Sequence, residues 1–303
     1  MIHSVGVFLF SLIIIQSLYA HVVCSFRGRL GNQLFQAAAA IALAEEMHCG
    51  IYFPDFEKLD QLPDDHEFKQ LKENYQHIFW KIPRLREKIV PTFIYNESSF
   101  EYHPIPYQGD TEIVGFFVSE KYFQNYKNQI LNLFSPSLEI ELMLSEKFSE
   151  ILQHPQSVGV HVRTGFFEYQ TNNFDKSFYQ KFLAPDLEFL KKAIELFDEN
   201  ALFVVFSDHI DWCKENLPQL NRNFVFIENQ YYLHDFYLLS KCKHTIFANS
   251  TFSWWAAYLN KNPEKKVICR KPFFIFDLDV ACSEWIQIPM ENIPPIPNFK
   301  GNL

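Results

Sequence analysis

His161 and Arg163 lie in Val158-Gly-Val-His-Val-Arg-Thr-Gly165, where β-branched residues alternate with the others. A period of two puts both side chains on one face of a short strand, and Thr164-Gly165 breaks it, leaving Arg163 at the carboxyl end. In an open α/β sheet that end binds ligands. A guanidinium there, permanently charged and with a planar fork of donors, suits a phosphate or diphosphate. The competing reading is an arginine in a surface ion pair and a histidine satisfied inside a core. Two more apolar runs end in polar residues, Ser207-Asp208 and Asn249-Ser250-Thr251. The latter opens the run Phe252-Ser-Trp-Trp255, so hydroxyls and helical amides there suit a phosphate, with simple helix capping as the alternative. Asp208 also reads as a possible cap, and Trp254 and Trp255 read as core. Arg27-Gly-Arg-Leu-Gly-Asn-Gln33 is a glycine-containing turn before a helix, short of the full G-x-G-x-x-G fingerprint; a plain tight turn explains Gly28 and Gly31 equally well. Asp277-Leu-Asp279 has a spacing that holds divalent ions, but nothing near it suits a nucleotide, and no metal is expected there.

The elements around these residues alternate. A strand over 21–26 precedes the glycine turn and a helix over Leu34–Met47. A strand follows at 51–53, then an irregular stretch over 54–110, where loops carrying acceptor specificity are expected. Gly115–Phe123 leads into a helix, and the domain boundary falls near 135–150. Beyond the His161 strand come a helix over 185–197, a strand over 202–206, a helix from 211 and a strand over 224–227. A helix over 235–241, a strand over 245–248, a helix over 252–259 and a last core strand over 267–269 complete the pattern. Alternation of this kind predicts a parallel, doubly wound sheet.

The chain has 303 residues, 48% hydrophobic and 21% charged, enough for two domains with a sizeable core. A net charge of -9 argues against nucleic acid as the main partner, although one nucleotide needs only a local basic pocket. The 33 Phe read as a bias of composition. None of the six cysteines is spaced as CxxC, so a zinc cluster is not expected; Cys24 and Cys269 read as small buried hydrophobes. Residues 5–18 are apolar, short for a membrane span and suited to a signal peptide or signal anchor, without the usual positive flank. Asn96-Glu97-Ser98 is a glycosylation acceptor if the chain is luminal.

Arg29-Leu-Gly-Asn-Gln33, Gly115–Phe123, Val158–Gly165, the stretch from Phe206 to Asn216 and Ala248-Asn-Ser-Thr-Phe-Ser-Trp-Trp-Ala-Ala-Tyr258 resemble, in order, motifs of the α-1,2-fucosyltransferases of glycosyltransferase family 11. The resemblance spans about residues 21–290. It implies a GT-B-like α/β fold of two Rossmann-like lobes with parallel sheets and a cleft between them. It further implies GDP-fucose as donor, the 2-hydroxyl of a terminal galactose on a glycan as acceptor, inversion at the anomeric carbon and no required metal. On that reading residues 1–20 are a signal peptide or anchor, 21–150 the acceptor-side lobe and 151–303 the GDP-fucose-binding lobe. A membrane-associated type II protein of the Golgi lumen is implied for a eukaryotic source, and otherwise a cytoplasmic or inner-membrane-face enzyme. Carried over by position, Arg163 meets the diphosphate, His161 the nucleotide or its phosphate edge, and Asp208 the guanine. Gly31 and Asn32 reach from the other lobe, while Asn249, Ser250, Thr251 and Phe252 close around the phosphates. The family pattern His-x-Arg-Arg-Gly-Asp-Tyr is broken here: Thr164 stands for the second arginine and Phe166 for the acid, with Glu168 the substitute carboxylate. Glu168 and Asp175 are the candidate bases. The rival functions are a non-catalytic nucleotide- or glycan-binding relative, motivated by Thr164 and Phe166, and a protein O-fucosyltransferase. The assignment requires a guanidinium at the gap between lobes, not one sealed by an internal acid.

Overall fold

The computed structural model describes residues 20–57, 59, 66–85, 88–164, 186–273 and 280–290. Its strands are β1 (His21–Val23), β2 (Gly50–Tyr52), β3 (Phe93–Asn96), β4 (Thr111–Val114), β5 (Ser157–Val162), β6 (Leu202–Ser207), β7 (Asn223–Phe226), β8 (His244–Phe247), β9 (Val267–Lys271) and β10 (Ile286–Pro289). The helices are α1 (Leu30–Glu46), α2 (Pro54–Glu57), α3 (His66–His77), α4 (Lys127–Leu133), α5 (Leu138–Lys147), α6 (Ser149–Gln153), α7 (Leu187–Ile194), α8 (Ile210–Asn216), α9 (Tyr232–Lys241) and α10 (Thr251–Leu259). They build the expected α/β architecture of two sheets, ordered β2-β1-β4-β3 and β10-β9-β8-β5-β6-β7, with every pairing parallel.

Parallel strands covered on both faces need continuous apolar runs. β5 is buried at every position, and β6 carries Phe203, Val204, Val205 and Phe206 inside. The strands absent from the sequence reading are those without such a run. β3 lies at a sheet edge and alternates half-buried with exposed residues, and β10, the outer strand beyond β9, is mostly exposed and ends at Pro289. Edge strands carry little burial pattern and tolerate proline. β4 contributes only four residues.

α1 begins at Leu30, earlier than expected, so Gly31 and Asn32 belong to its first turn and not to the loop. It is buried on nearly every face because it lies between β1 and β2 on one side and α10 on the other. Its alanine run, Ala37–Ala40, lets these layers approach closely. Phe35 meets Trp254 at 4.5 Å and Trp255 at 5.1 Å, Phe123 stacks on Trp255 at 5.3 Å, and the Trp254 indole donates to Val280 O at 2.8 Å. Part of the aromatic excess is thus the shared core that fuses the two lobes, with Trp254 and Trp255 in the core as read. Cys24 and Cys269 are buried, and all six cysteines are free. Among the described residues no helix is long and apolar enough to cross a membrane; the apolar run over 5–18 lies outside them.

Candidate active site

Each sheet has a point where the strand order reverses, and ligands of open α/β sheets bind beside it, beyond the carboxyl ends of the strands. In the larger sheet the chain moves from β5 outward through β6 and β7, then returns to β8 on the other side of β5. His161 pairs in register with Phe206 and Phe247, which brings Arg163, Ser207-Asp208 and Asn249–Thr251 to one edge. In the smaller sheet the reversal falls between β1 and β4, whose ends lead into the glycine turn and into Gly115–Val118. The two edges face each other across a cleft of about 650 Å3.

His161 is buried, tilted against the Phe252 ring at 5.4 Å, with no hydrogen bond at Nδ1. Burial pushes its pKa down to about 4, the Asp208 carboxylate opposing and Arg163 adding to the shift, so the ring is neutral at pH 7. Arg163 lines the cleft, its side chain 21% exposed, and its Nη1 stands 3.1 Å from Asp208 Oδ2. An internal acid therefore holds the guanidinium, as the ion-pair reading allowed, but does not seal it, since the side chain keeps its exposure and still lines the cleft.

Asp208 differs from expectation in how it is used. Its Oδ1 accepts from the Thr164 amide at 2.7 Å and the Thr164 hydroxyl at 3.0 Å, while Oδ2 meets Arg163, so the carboxylate is engaged by the chain itself. It does not cap α8 either: Ser207 Oγ accepts from the His209 amide at 3.0 Å. Thr164, standing where the family motif has its second arginine, locks this acid.

Ser250 and Thr251 are not side-chain caps. Ser250 has the extended backbone of an N-cap residue but makes no capping hydrogen bond, and Thr251 Oγ1 donates to Asn32 Oδ1 at 3.0 Å, across the cleft. Arg29 likewise precedes α1 without a side-chain cap. Two helix N-termini, each with amides that lack intrahelical acceptors, meet at the cleft and lend it positive potential. Gly31 permits the meeting: a Cβ there would stand 2.5 Å from Phe252 N and from Thr251 C, so the residue works as a packing glycine. Gly28 adopts φ +73°, a conformation that favours glycine. A buried polar chain supports the turn, Tyr232 OH donating to Asn74 Oδ1 at 2.6 Å, Asn74 Nδ2 to Gln33 Oε1 at 2.7 Å and Gln33 Nε2 to Gly28 O at 3.0 Å.

Asp235 is the site residue the sequence reading missed. It lines the cleft from the first turn of α9, with Oδ1 buried and without a hydrogen bond, and burial pushes its pKa up to about 7. The available signal was an acid set among Leu233, Phe236, Tyr237 and Leu238, all buried. Phe100 and Phe116 also line the cleft. Glu168, Asp175, Phe166 and Asp277–Asp279 lie outside the described residues. Among those described, one group could gather a metal ion, Glu120 with Cys282 and Glu284, and none of the three lines the cleft.

The sequence profile of glycosyl transferase family 11 matches residues 19–288. The chain is 28% identical over 294 residues to an alpha-1,2-colitosyltransferase of Escherichia coli, covering 88% of this chain and 98% of that protein. It is 28% identical over 255 residues to galactoside alpha-(1,2)-fucosyltransferase 2 of Oryctolagus cuniculus, covering 77% of this chain and 65% of the relative. Among solved structures it is similar to the NodZ alpha-1,6-fucosyltransferase soaked with GDP-fucose, with a TM-score of 0.46, 15% identity, and coverage of 79% of this chain and 92% of that one. With the profile spanning both sheets and the cleft between them, the chain belongs to glycosyl transferase family 11.

Proposed function

We propose that the protein transfers L-fucose from GDP-fucose to the 2-hydroxyl of a terminal galactose on a glycan, with inversion. The observation that carries the reading is the meeting of two uncapped helix N-termini with Arg163 at facing sheet reversals. The glycosidic C1–O bond breaks with its electron pair passing to the diphosphate, while the acceptor oxygen bonds C1 from the opposite face and gives its proton to a carboxylate base, for which Glu168 and Asp175 are the candidates. Charge growing on GDP is met by dipoles and a cation already fixed in position, so little reorganisation is needed. Cationic groups of the chain supply the stabilisation, and no metal is required in this reading. Asp208 holds the Arg163 fork, and Asp235, deprotonated, suits the adjacent ring and amino N–H donors of guanine. The neutral His161 and the Phe252 ring would wall the nucleotide.

The relatives named for α-1,2 transfer support the linkage, and the one matched along 98% of its length is named for colitose, which favours GDP-colitose as the second donor to test. The deciding experiment is a mass-spectrometric transfer assay of the purified protein with GDP-fucose and GDP-colitose. Acceptors are β-galactosides and folded protein domains, and Arg163→Ala runs alongside. The reading expects a fucosylated galactoside from the wild type and strongly reduced turnover in the variant. Equal turnover would remove Arg163 from the reaction; GDP binding without turnover on any acceptor would replace the enzyme with a binding protein.

A further inference from the structure

Leaving β4, the chain runs through Gly115-Phe116-Phe117-Val118 at the reversal point of the smaller sheet. Phe117 adopts φ +52°, a left-handed conformation unfavourable for a bulky residue and kept only where the surroundings enforce it. The enforcing group is Glu97. Its buried carboxylate accepts from the Phe116 amide at 2.6 Å and from the Phe117 amide at 3.1 Å, and Phe117 O accepts from the Ser119 amide at 2.8 Å. A Cβ on Gly115 would lie 2.5 Å from Glu97 Cβ, so glycine is what lets the acid come this close. The strained turn sends consecutive rings to different places. Phe117 is sealed in the core, edge-on to Tyr122 at 5.3 Å. Phe116 stays half-buried on the cleft wall, stacked at 24° and 6.3 Å with Phe100.

The geometry points to Phe116 as the platform on which the galactose ring of the acceptor lies, with Glu97 as the residue that positions it. The assignment rests on the donor reading above, in which the facing wall takes GDP-fucose. That wall offers amides, Arg163 and Asp235, groups for a charged nucleotide. Beyond β3 and β4 the opposite wall offers the flat apolar rings of Phe100 and Phe116, which suit a neutral saccharide, beside the Arg29–Asn32 turn that faces the donor. A β-galactopyranose presents the C–H groups of C3, C4 and C5 on one face, and a ring face accepts such a patch while the hydroxyls stay with polar partners. A β-glucopyranose, with the 4-hydroxyl turned over, lacks that continuous patch, so the platform would also set galacto specificity.

Acceptor binding is read without turnover, by saturation-transfer difference NMR of N-acetyllactosamine with GDP-saturated protein. The expected result is strongest transfer at galactose H3, H4 and H5. Phe116→Ala should weaken galactoside affinity about tenfold, in line with the contribution of one aromatic face. Phe116→Tyr should retain it, and GDP affinity by calorimetry should be unchanged in both. Glu97→Gln, which takes away one acceptor for the strained amides without touching the sugar, should reproduce the loss with GDP affinity intact. The inference is overturned if Phe116→Ala binds the galactoside like wild type, if it weakens GDP instead, or if no galactoside signal depends on the ring. Failed fucosyl transfer with this NMR pattern intact would instead count against the donor reading alone.

Discussion

Replacing Asp235 with asparagine keeps the shape of the side chain and removes its ability to ionise. In the unliganded cleft burial holds the carboxyl at about 7, and Oδ1 has no donor. Two guanine N–H groups would supply donors to the ionised form and pull the pKa down, so binding below neutrality must expel a proton. The ionised fraction falls about tenfold per pH unit below the pKa, so GDP-fucose should bind about tenfold more weakly near pH 6 than near pH 8. Hydrogen bonds to a charged acceptor contribute about 1.5–3 kcal/mol, so Asp235→Asn should lose about 10- to 150-fold in affinity near pH 8, with a much smaller difference near pH 5.5. The assay is calorimetry in buffers of different ionisation enthalpy, which counts the proton released. GDP-fucose is the proper ligand because the terminal phosphate of GDP itself titrates near pH 6, as phosphate monoesters do. His161, held at about 4, stays neutral across this range and adds no proton. Stability separates recognition from damage. A carboxyl with a raised native pKa loses stability as pH rises from the unfolded value toward 7, on the order of 2 kcal/mol here after allowing for partial exposure. The asparagine variant should therefore melt higher than wild type near pH 8 while binding worse. Affinity that is flat in pH, or a variant that binds like wild type near pH 8, would refute the reasoning.

Gly31→Ala would normally stabilise a helix by up to about 1 kcal/mol, but its Cβ meets the backbone of α10 at 2.5 Å; net destabilisation of about 1–3 kcal/mol and weaker GDP-fucose binding are expected in urea melts and calorimetry. Asp208→Asn removes the countercharge of Arg163 and sets an amide against the guanidinium in place of Oδ2, while Oδ1 can keep both bonds from Thr164. Partial exposure of the arginine lowers the usual toll of breaking a buried pair to about 2–3 kcal/mol, read by thermal melting alongside a drop in kcat. An unchanged melting point would show the pair adds nothing. His161 has a native pKa below its unfolded value, so its contribution is whole above about 6.5 and falls by about 1.4 kcal/mol per pH unit toward 4. The stability difference between wild type and His161→Gln should carry that slope, and a flat difference would show that the ring is not buried neutral.

The larger sheet was legible because its strands are buried on both faces: Val158–Val162, Leu202–Phe206 and Thr245–Phe247 are apolar runs separated by helices. A period-two pattern and three polar strand ends were enough to assign His161, Arg163 and Asn249–Thr251 to one edge, which parallel register then delivered. Half of the smaller sheet was hidden, since its edge strand β3 carries exposed residues and β4, Thr111-Glu-Ile-Val, mixes a charge into a half-buried run; β10, the exposed edge of the larger sheet, was hidden for the same reason. Local sequence could decide which residues have phosphate chemistry to offer, because charge, donor geometry and strand periodicity belong to the residues themselves. It could not decide who partners whom. That Asp208 is spent on Thr164 and Arg163, that Gly31 fits against α10, that Thr251 reaches Asn32 and that Asp235 Oδ1 is left without a donor follow from contacts between segments up to 219 residues apart. Desolvation and hydrogen-bond satisfaction depend on what the fold packs around a group, and only the tertiary structure supplies those neighbours.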